Sequence, residues 1–116
     1  MIFIIDDDEI MAECIAKACK RKTLTFSNAI TAMDAISKGE LPCLIFLDIL
    51  LDGPDGFTFL HELVSYPDTA SIPIIIISSL NFKDQDLSIY NVVEVLDKTT
   101  MTPQEITKYV DQYCTK

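Results

Sequence analysis

The chain has 116 residues, 49% of them hydrophobic, with 18 acidic side chains against 9 basic ones and a formal charge of −9. That length supports one domain, residues 1–116, burying about two-thirds of the unfolded chain's surface, and the composition excludes disorder. So acidic a chain argues against direct binding of nucleic acid, which is held through Lys and Arg on phosphates, and favours a cation or a basic partner face. No apolar run reaches the roughly 18–20 residues that cross a bilayer. Met1-Ile2-Phe3-Ile4-Ile5 has no basic region ahead of it, so no signal peptide and no membrane insertion are expected, and the localisation implied is cytoplasmic. Cys14, Cys19, Cys43 and Cys114 form no CxxC pair, which reads as buried thiols in a reducing compartment rather than a zinc site.

Ile2 to Ile5 is a short apolar run that stops at acids. From Glu9 the period turns helical, with Ile10, Met11, Cys14, Ile15 and Ala18 on one face. Glu9 and Glu13 lie early in this helix and Lys17, Lys20 and Arg21 late, as the helix dipole favours. Asp8 reads as the cap of this helix. Thr23 to Phe26 reads as a second strand. Ser27 is the expected N-cap of a helix carrying Ile30, Met33 and Ile36, closed by Gly39 and Pro42. Leu44 to Leu47 is another apolar run. An Asp-, Gly- and Pro-rich loop follows, then a helix with Phe57, Leu60, Leu63 and Val64 that ends before Pro67. Ile74 to Ile77 is the fourth strand, Asn81 to Tyr90 a helix of poor periodicity, and Val92 to Leu96 the fifth strand. Thr102-Pro103-Gln104-Glu105 combines a capping box with proline at the first helical position, opening a helix faced by Ile106, Tyr109, Val110 and Tyr113.

Strands alternate with helices, and the central strands are apolar throughout, as burial on both faces requires. The pattern is that of an α/β fold, a parallel sheet with helices on both sides. Ligands of such sheets sit beyond the carboxyl ends of the strands. There the chain carries Asp6-Asp7, Asp48, Ser78-Ser79 and Asp97-Lys98. Two carboxylates about 4 Å apart repel by roughly 4 kcal/mol at an effective dielectric near 20. Three together therefore need a cation, a proton or Lys98. Hard oxygen ligands without His or Cys point to Mg²⁺ or a similar ion such as Mn²⁺.

Four segments together resemble the receiver domain of two-component response regulators. Ile4-Ile5-Asp6-Asp7-Asp8 is similar to the family's acidic pair after strand one. Leu44-Ile45-Phe46-Leu47-Asp48 with Gly53-Pro54-Asp55-Gly56 is similar to its phosphoacceptor segment. Ile72-Pro73-Ile74 to Ser78-Ser79 resembles the strand ending in a hydroxyl residue, and Val95-Leu96-Asp97-Lys98 the strand ending in the active-site lysine. The likeness runs from Met1 to about Tyr113. It implies a flavodoxin-like, doubly wound five-stranded sheet in the order 2-1-3-4-5. It also implies that Asp48 is the phosphoacceptor, fed by a sensor histidine kinase or a histidine phosphotransfer domain. Asp6, Asp7, Asp48 and the backbone carbonyl of Leu50 would hold Mg²⁺. Lys98 would neutralise phosphoryl oxygens, and Ser78 would turn toward the phosphate. Output would pass to a downstream protein through the helix 4–strand 5–helix 5 face, helix 4 being the 81–90 segment. No external substrate is implied, only self-phosphorylation and autodephosphorylation on Asp48.

The chain departs from the family pattern in places. Thr99 follows the lysine where proline is usual, so a trans Lys98–Thr99 peptide is expected. Val95 replaces the switch aromatic, and Asp52 stands where proline is common. Leu50 and Leu80 occupy two positions that govern water attack on the phosphoryl group, which implies slow hydrolysis. These departures keep open a pseudo-receiver that binds partners without phosphorylation. A Mg²⁺-dependent phosphohydrolase is disfavoured by Leu50, where such enzymes carry a second acid. A flavin protein is disfavoured by the acids after strand one. His61, inside a helix, reads as structural, and Tyr109 and Tyr113 as packing or partner-surface residues.

Overall fold

The computed structural model describes residues 1–48, 56–78 and 90–114. Five strands, β1 (Ile2–Ile5), β2 (Thr23–Phe26), β3 (Leu44–Asp48), β4 (Ile74–Ser78) and β5 (Val92–Asp97), form one parallel sheet in the order β2-β1-β3-β4-β5. The helices are α1 (Glu9–Cys19), α2 (Ala29–Ser37), α3 (Gly56–Val64), the single turn α4 (Pro67–Ala70) and α5 (Pro103–Tyr113). The fold is the flavodoxin-like one that receiver domains adopt. Every residue of β1, β3 and β4 is buried, which is what their continuous apolar character demands.

Alternation along the strands divides the core into two layers. Phe3, Ile5, Ile45, Leu47, Ile74 and Ile76 pack against Ala29, Ala32 and Ile36 of α2 and Phe59, Leu60 and Leu63 of α3. Ile2, Ile4, Leu44, Phe46, Ile75, Ile77 and Leu96 pack against Ala12, Ile15, Ala18 and Cys19 of α1 and Ile106 and Val110 of α5. β5 keeps this pattern only through a register shift: Ile74 pairs with Val92 and Ile75 with Glu94, so Val93 is an extra residue.

The helix faces differ from those the sequence predicts. The buried stripe of α1 is Ala12, Ile15, Ala18 and Cys19, while Ile10 is 77% exposed and Cys14 is exposed. In α2 the small residues Ala29 and Ala32 face the sheet with Ile36, and Ile30 points outward. Alanine at these contacts lets a helix lie close to the pleated surface, so the larger side chains one step away are left outside. The cap of α2 is Asn28 rather than Ser27; its Oδ1 accepts from Thr31 N at 2.9 Å. α3 ends before Pro67 as expected, and the proline then opens α4 at its first position. Asp8 caps α1 by accepting from Ile10 N and Met11 N. Thr102 and Glu105 form the full capping box of α5. The predicted helix 81–90 lies outside the described residues except for Tyr90, whose hydroxyl meets His61 Nε2 at 2.9 Å.

The cysteines require a correction. Cys43 and Cys114 are joined as a disulfide across 71 residues, with Cα atoms 5.6 Å apart. Cys43 lies just before β3 and Cys114 just after α5, so the bond ties the two at the amino end of the sheet. Cys19 alone is a buried thiol, and burial pushes its pKa up to about 12. No described helix is long and apolar enough to cross a membrane.

Candidate functional site

The carboxyl ends of β1, β3 and β5 meet around one ammonium group. Lys98 Nζ donates to Asp48 Oδ2 at 3.0 Å and lies 3.1 Å from Asp6 Oδ2. One carboxylate oxygen each of Asp6, Asp7 and Asp48 lies within 4.8 Å of the others. The parallel register explains the meeting. Ile5 pairs with Leu47 and Asp48 with Ile77, so acids one residue past an apolar strand arrive at the same sheet edge. Lys98 N donates to Ser78 O at 2.9 Å, which extends the β4–β5 ladder and carries the lysine to that edge.

Asp6 and Asp48 are 2% and 4% exposed, whereas Asp7 faces solvent. Burial is the main cause that raises the Asp6 carboxyl to about 6, reinforced by the charge of Asp48. The Asp8 N–H, 2.9 Å from Asp6 Oδ1, and the Lys98 ammonium act in the opposite direction. Burial alone would lower the pKa of Lys98; its bonds to Asp48 and Asp6 outweigh that and raise it. Lys98 Nζ, shared with Asp48, forms an ion pair with Asp6 Oδ2, and no further group donates to this buried oxygen. A buried carboxylate oxygen with no partner beyond a shared ammonium, beside two further carboxylates, fits a hard divalent cation.

The structure thus brings Asp6, Asp7, Asp48 and Lys98 together, with Ser78 closing β4 alongside, its side chain buried. Asp97 turns away from this group: its Oδ1 accepts from Thr99 N and Thr99 Oγ1 at 2.8 and 2.7 Å, bonds that lower its pKa. This Asx-type turn holds the Lys98–Thr99 segment, and no described peptide bond is cis. Leu50, Asp52, Ser79 and Leu80 lie outside the described residues. The sequence reading missed the His61–Tyr90 pair and the bond from Tyr109 Oη to Glu94 Oε2 at 2.9 Å. Both depend on a three-dimensional approach that no local spacing signals.

The comparisons with known proteins agree with this geometry. The family model described as "Response regulator receiver domain" matches residues 2–111. The response regulator PleD of Caulobacter vibrioides is 32% identical over 85 residues, which is 69% of this chain and 18% of PleD; the match thus spans less than a fifth of that relative's length. The receiver domain of NtrX from Brucella abortus superposes with a TM-score of 0.84 at 22% identity, covering 100% of this chain and 99% of that one. The phosphorylated cyanobacterial phytochrome response regulator RcpA superposes with a TM-score of 0.81 at 21% identity, covering 97% and 92%. With the family model spanning nearly its whole length and the acid–lysine cluster at the expected sheet edge, the chain belongs to the response regulator receiver domain family.

Proposed function

We propose that this chain, as a single receiver domain over residues 1–116, is a phosphoaccepting signalling switch with Asp48 as the acceptor. The observation that carries the reading is the Lys98 ammonium held between Asp48 and Asp6, with the carboxylate of Asp7 beside them. The donor is a phosphohistidine on a sensor histidine kinase or a histidine phosphotransfer domain. An Asp48 carboxylate oxygen bonds to phosphorus as the phosphorus–nitrogen bond breaks, and the electron pair leaves on the imidazole, giving an acyl phosphate. Asp6, Asp7, Asp48 and, by the family resemblance, the Leu50 carbonyl would hold Mg²⁺ or Mn²⁺, which would supply positive charge against the phosphoryl oxygens. Lys98 stays as the fixed positive partner of the modified side chain. The Ser78 hydroxyl donates a hydrogen bond to a phosphoryl oxygen, and the face of β5, α5 and the 81–90 segment (the helix 4 expected from the sequence) changes its binding of a downstream protein. Autodephosphorylation is slow, as leucine at positions 50 and 80, two positions that govern water attack in the family, implies. The domain works in the cytoplasm, where its kinase partners present phosphohistidine.

Incubation with Mg²⁺ and a small phosphodonor, followed by intact mass, tests the reading. One phosphoryl group is expected on the wild type, with none on Asp48→Asn and none in EDTA. A Mg²⁺-dependent melting shift without any phosphoryl gain in the wild type would replace this reading with the pseudo-receiver.

A further inference from the structure

The Cys43–Cys114 bond lies at the end of the molecule remote from the acids, and nothing in the phosphoacceptor reading uses it. We propose that this pair is a reversible redox site, a thiol–disulfide switch that fastens the last turn of α5 to the foot of β3 when a small-molecule disulfide oxidises it. The placement is selective. β3 is the middle strand of the sheet, buried throughout, whereas α5 lies on the surface. Cα atoms 5.6 Å apart meet the spacing a disulfide needs without movement of either backbone. Each cysteine is also anchored by its own backbone: Cys43 N donates to Met1 O and Cys114 N to Val110 O, both at 2.8 Å. The two sulfurs are therefore presented to each other by the fold, whether or not they are bonded.

The reduced state is also provided for. Cys43 Sγ lies 3.1 Å from Met1 O, so as a thiol it has an acceptor in place. Cys43 is partly exposed and Cys114 only 5% exposed. Attack therefore starts from Cys43. Its thiolate, having lost a proton to solvent, bonds to one sulfur of the oxidant and expels the other half as a thiolate. Cys114, also deprotonated, then bonds to Cys43 Sγ and expels the second half. Two protein thiols have lost two protons and two electrons, and the oxidant has become two thiols. In the reducing cytoplasm of the proposed function, on which this step rests, such a bond serves sensing rather than permanent bracing.

Elsewhere α5 is held by non-covalent contacts: Thr107 Oγ1 donates to Ala18 O at 2.8 Å, and Arg21 pairs with Asp111 at 3.2 Å. Closing the bond thus restrains the final turn, Tyr109 to Tyr113, on a helix that shares the β5 side of the molecule through the Tyr109–Glu94 contact.

The test treats the purified chain with glutathione disulfide or with dithiothreitol, without any phosphodonor. After oxidation the intact mass is expected to fall by two hydrogens, and peptide mapping is expected to join Cys43 to Cys114 while Cys14 and Cys19 still alkylate. The oxidised form should melt about 10 °C above the reduced form, since the bond closes a long loop in the unfolded chain. Amide exchange at 109–113 should slow, and dithiothreitol should reverse every change without denaturant. Cys43→Ser should erase the difference between the two treatments; the same wild-type protein, reduced and oxidised, supplies the comparison even if that variant folds poorly. Alkylation of both Cys43 and Cys114 after oxidation, a glutathione adduct that never resolves, a bond from either to Cys19, or a bond that resists native reduction would each overturn the proposal.

Discussion

The two ends of the sheet are built on opposite principles. At the carboxyl end, three acids and one lysine crowd together, and a buried Asp6 oxygen has no partner beyond the ammonium it shares with Asp48. At the amino end, the strands start in apolar layers, and the ends of β3 and α5 are joined covalently. One end holds charges whose balance a proton or a cation can alter. The other end is braced by packing and by one covalent bond rather than by charge balance. A signalling domain needs both: a place where small chemistry changes the electrostatics, and a frame against which the change is felt.

Substitution of Lys98 should break the contrast most. Lys98→Met leaves two buried carboxylates facing each other with no cation. It should cost about 2–4 kcal/mol of stability at pH 7.5 in EDTA, measured by urea unfolding, with added Mg²⁺ restoring part of the loss. Equal stability of the variant and the wild type in EDTA would mean that the pocket is not electrostatically strained.

Asp6 should give the carboxyl end a pH dependence of its own. Its carboxyl titrates near 6 in the folded protein against 3.8 for the ordinary group. The fold therefore binds that proton more tightly than the unfolded chain does, and protonation favours folding. The contribution to stability is fully present below pH 4 and is lost as pH rises toward 6. In EDTA, the wild type should lose about 2–3 kcal/mol between pH 4 and pH 7 relative to Asp6→Asn. Parallel stability profiles of the two proteins would contradict the desolvation of Asp6.

The smallest effect is expected at a residue outside the acid–lysine cluster. Thr102→Ala removes the cap of α5 and should cost about 1 kcal/mol. Thermal melts should give the same loss with and without Mg²⁺, because Thr102 and Glu105 satisfy each other. A loss that Mg²⁺ repairs would tie the cap to the pocket.

Much of this was legible in the chain. Unbroken apolar runs that stop at Asp6, Asp48 and Ser78 announce a buried parallel sheet with its chemistry at one edge, and such a run needs only a few residues to show. The helix faces were harder to read. In α1 the contact surface is made partly of alanine, and a stripe containing Ile10 and Cys14 looks more apolar than the one that packs. The choice between Ser27 and Asn28 is decided by one residue of backbone phase, which composition cannot resolve. The Cys43–Cys114 bond spans 71 residues, and it is found only once register and helix length bring the two ends together. The turn from Asp97 to Thr99 escapes notice because the same aspartate in isolation looks like one more acid of the cluster.

The extra residue in β5 has a consequence for the lysine. In strict alternation, Lys98 would share the side of Val92, under α2 and α3, and its ammonium would hang on the wrong surface of the sheet. Counting Val93 as a skipped beat moves Leu96 to the α1 and α5 side and sets the next even residue in line with Asp6 and Asp48. A local irregularity more than a dozen ångströms of strand away from the acids thus decides which way their counter-charge points.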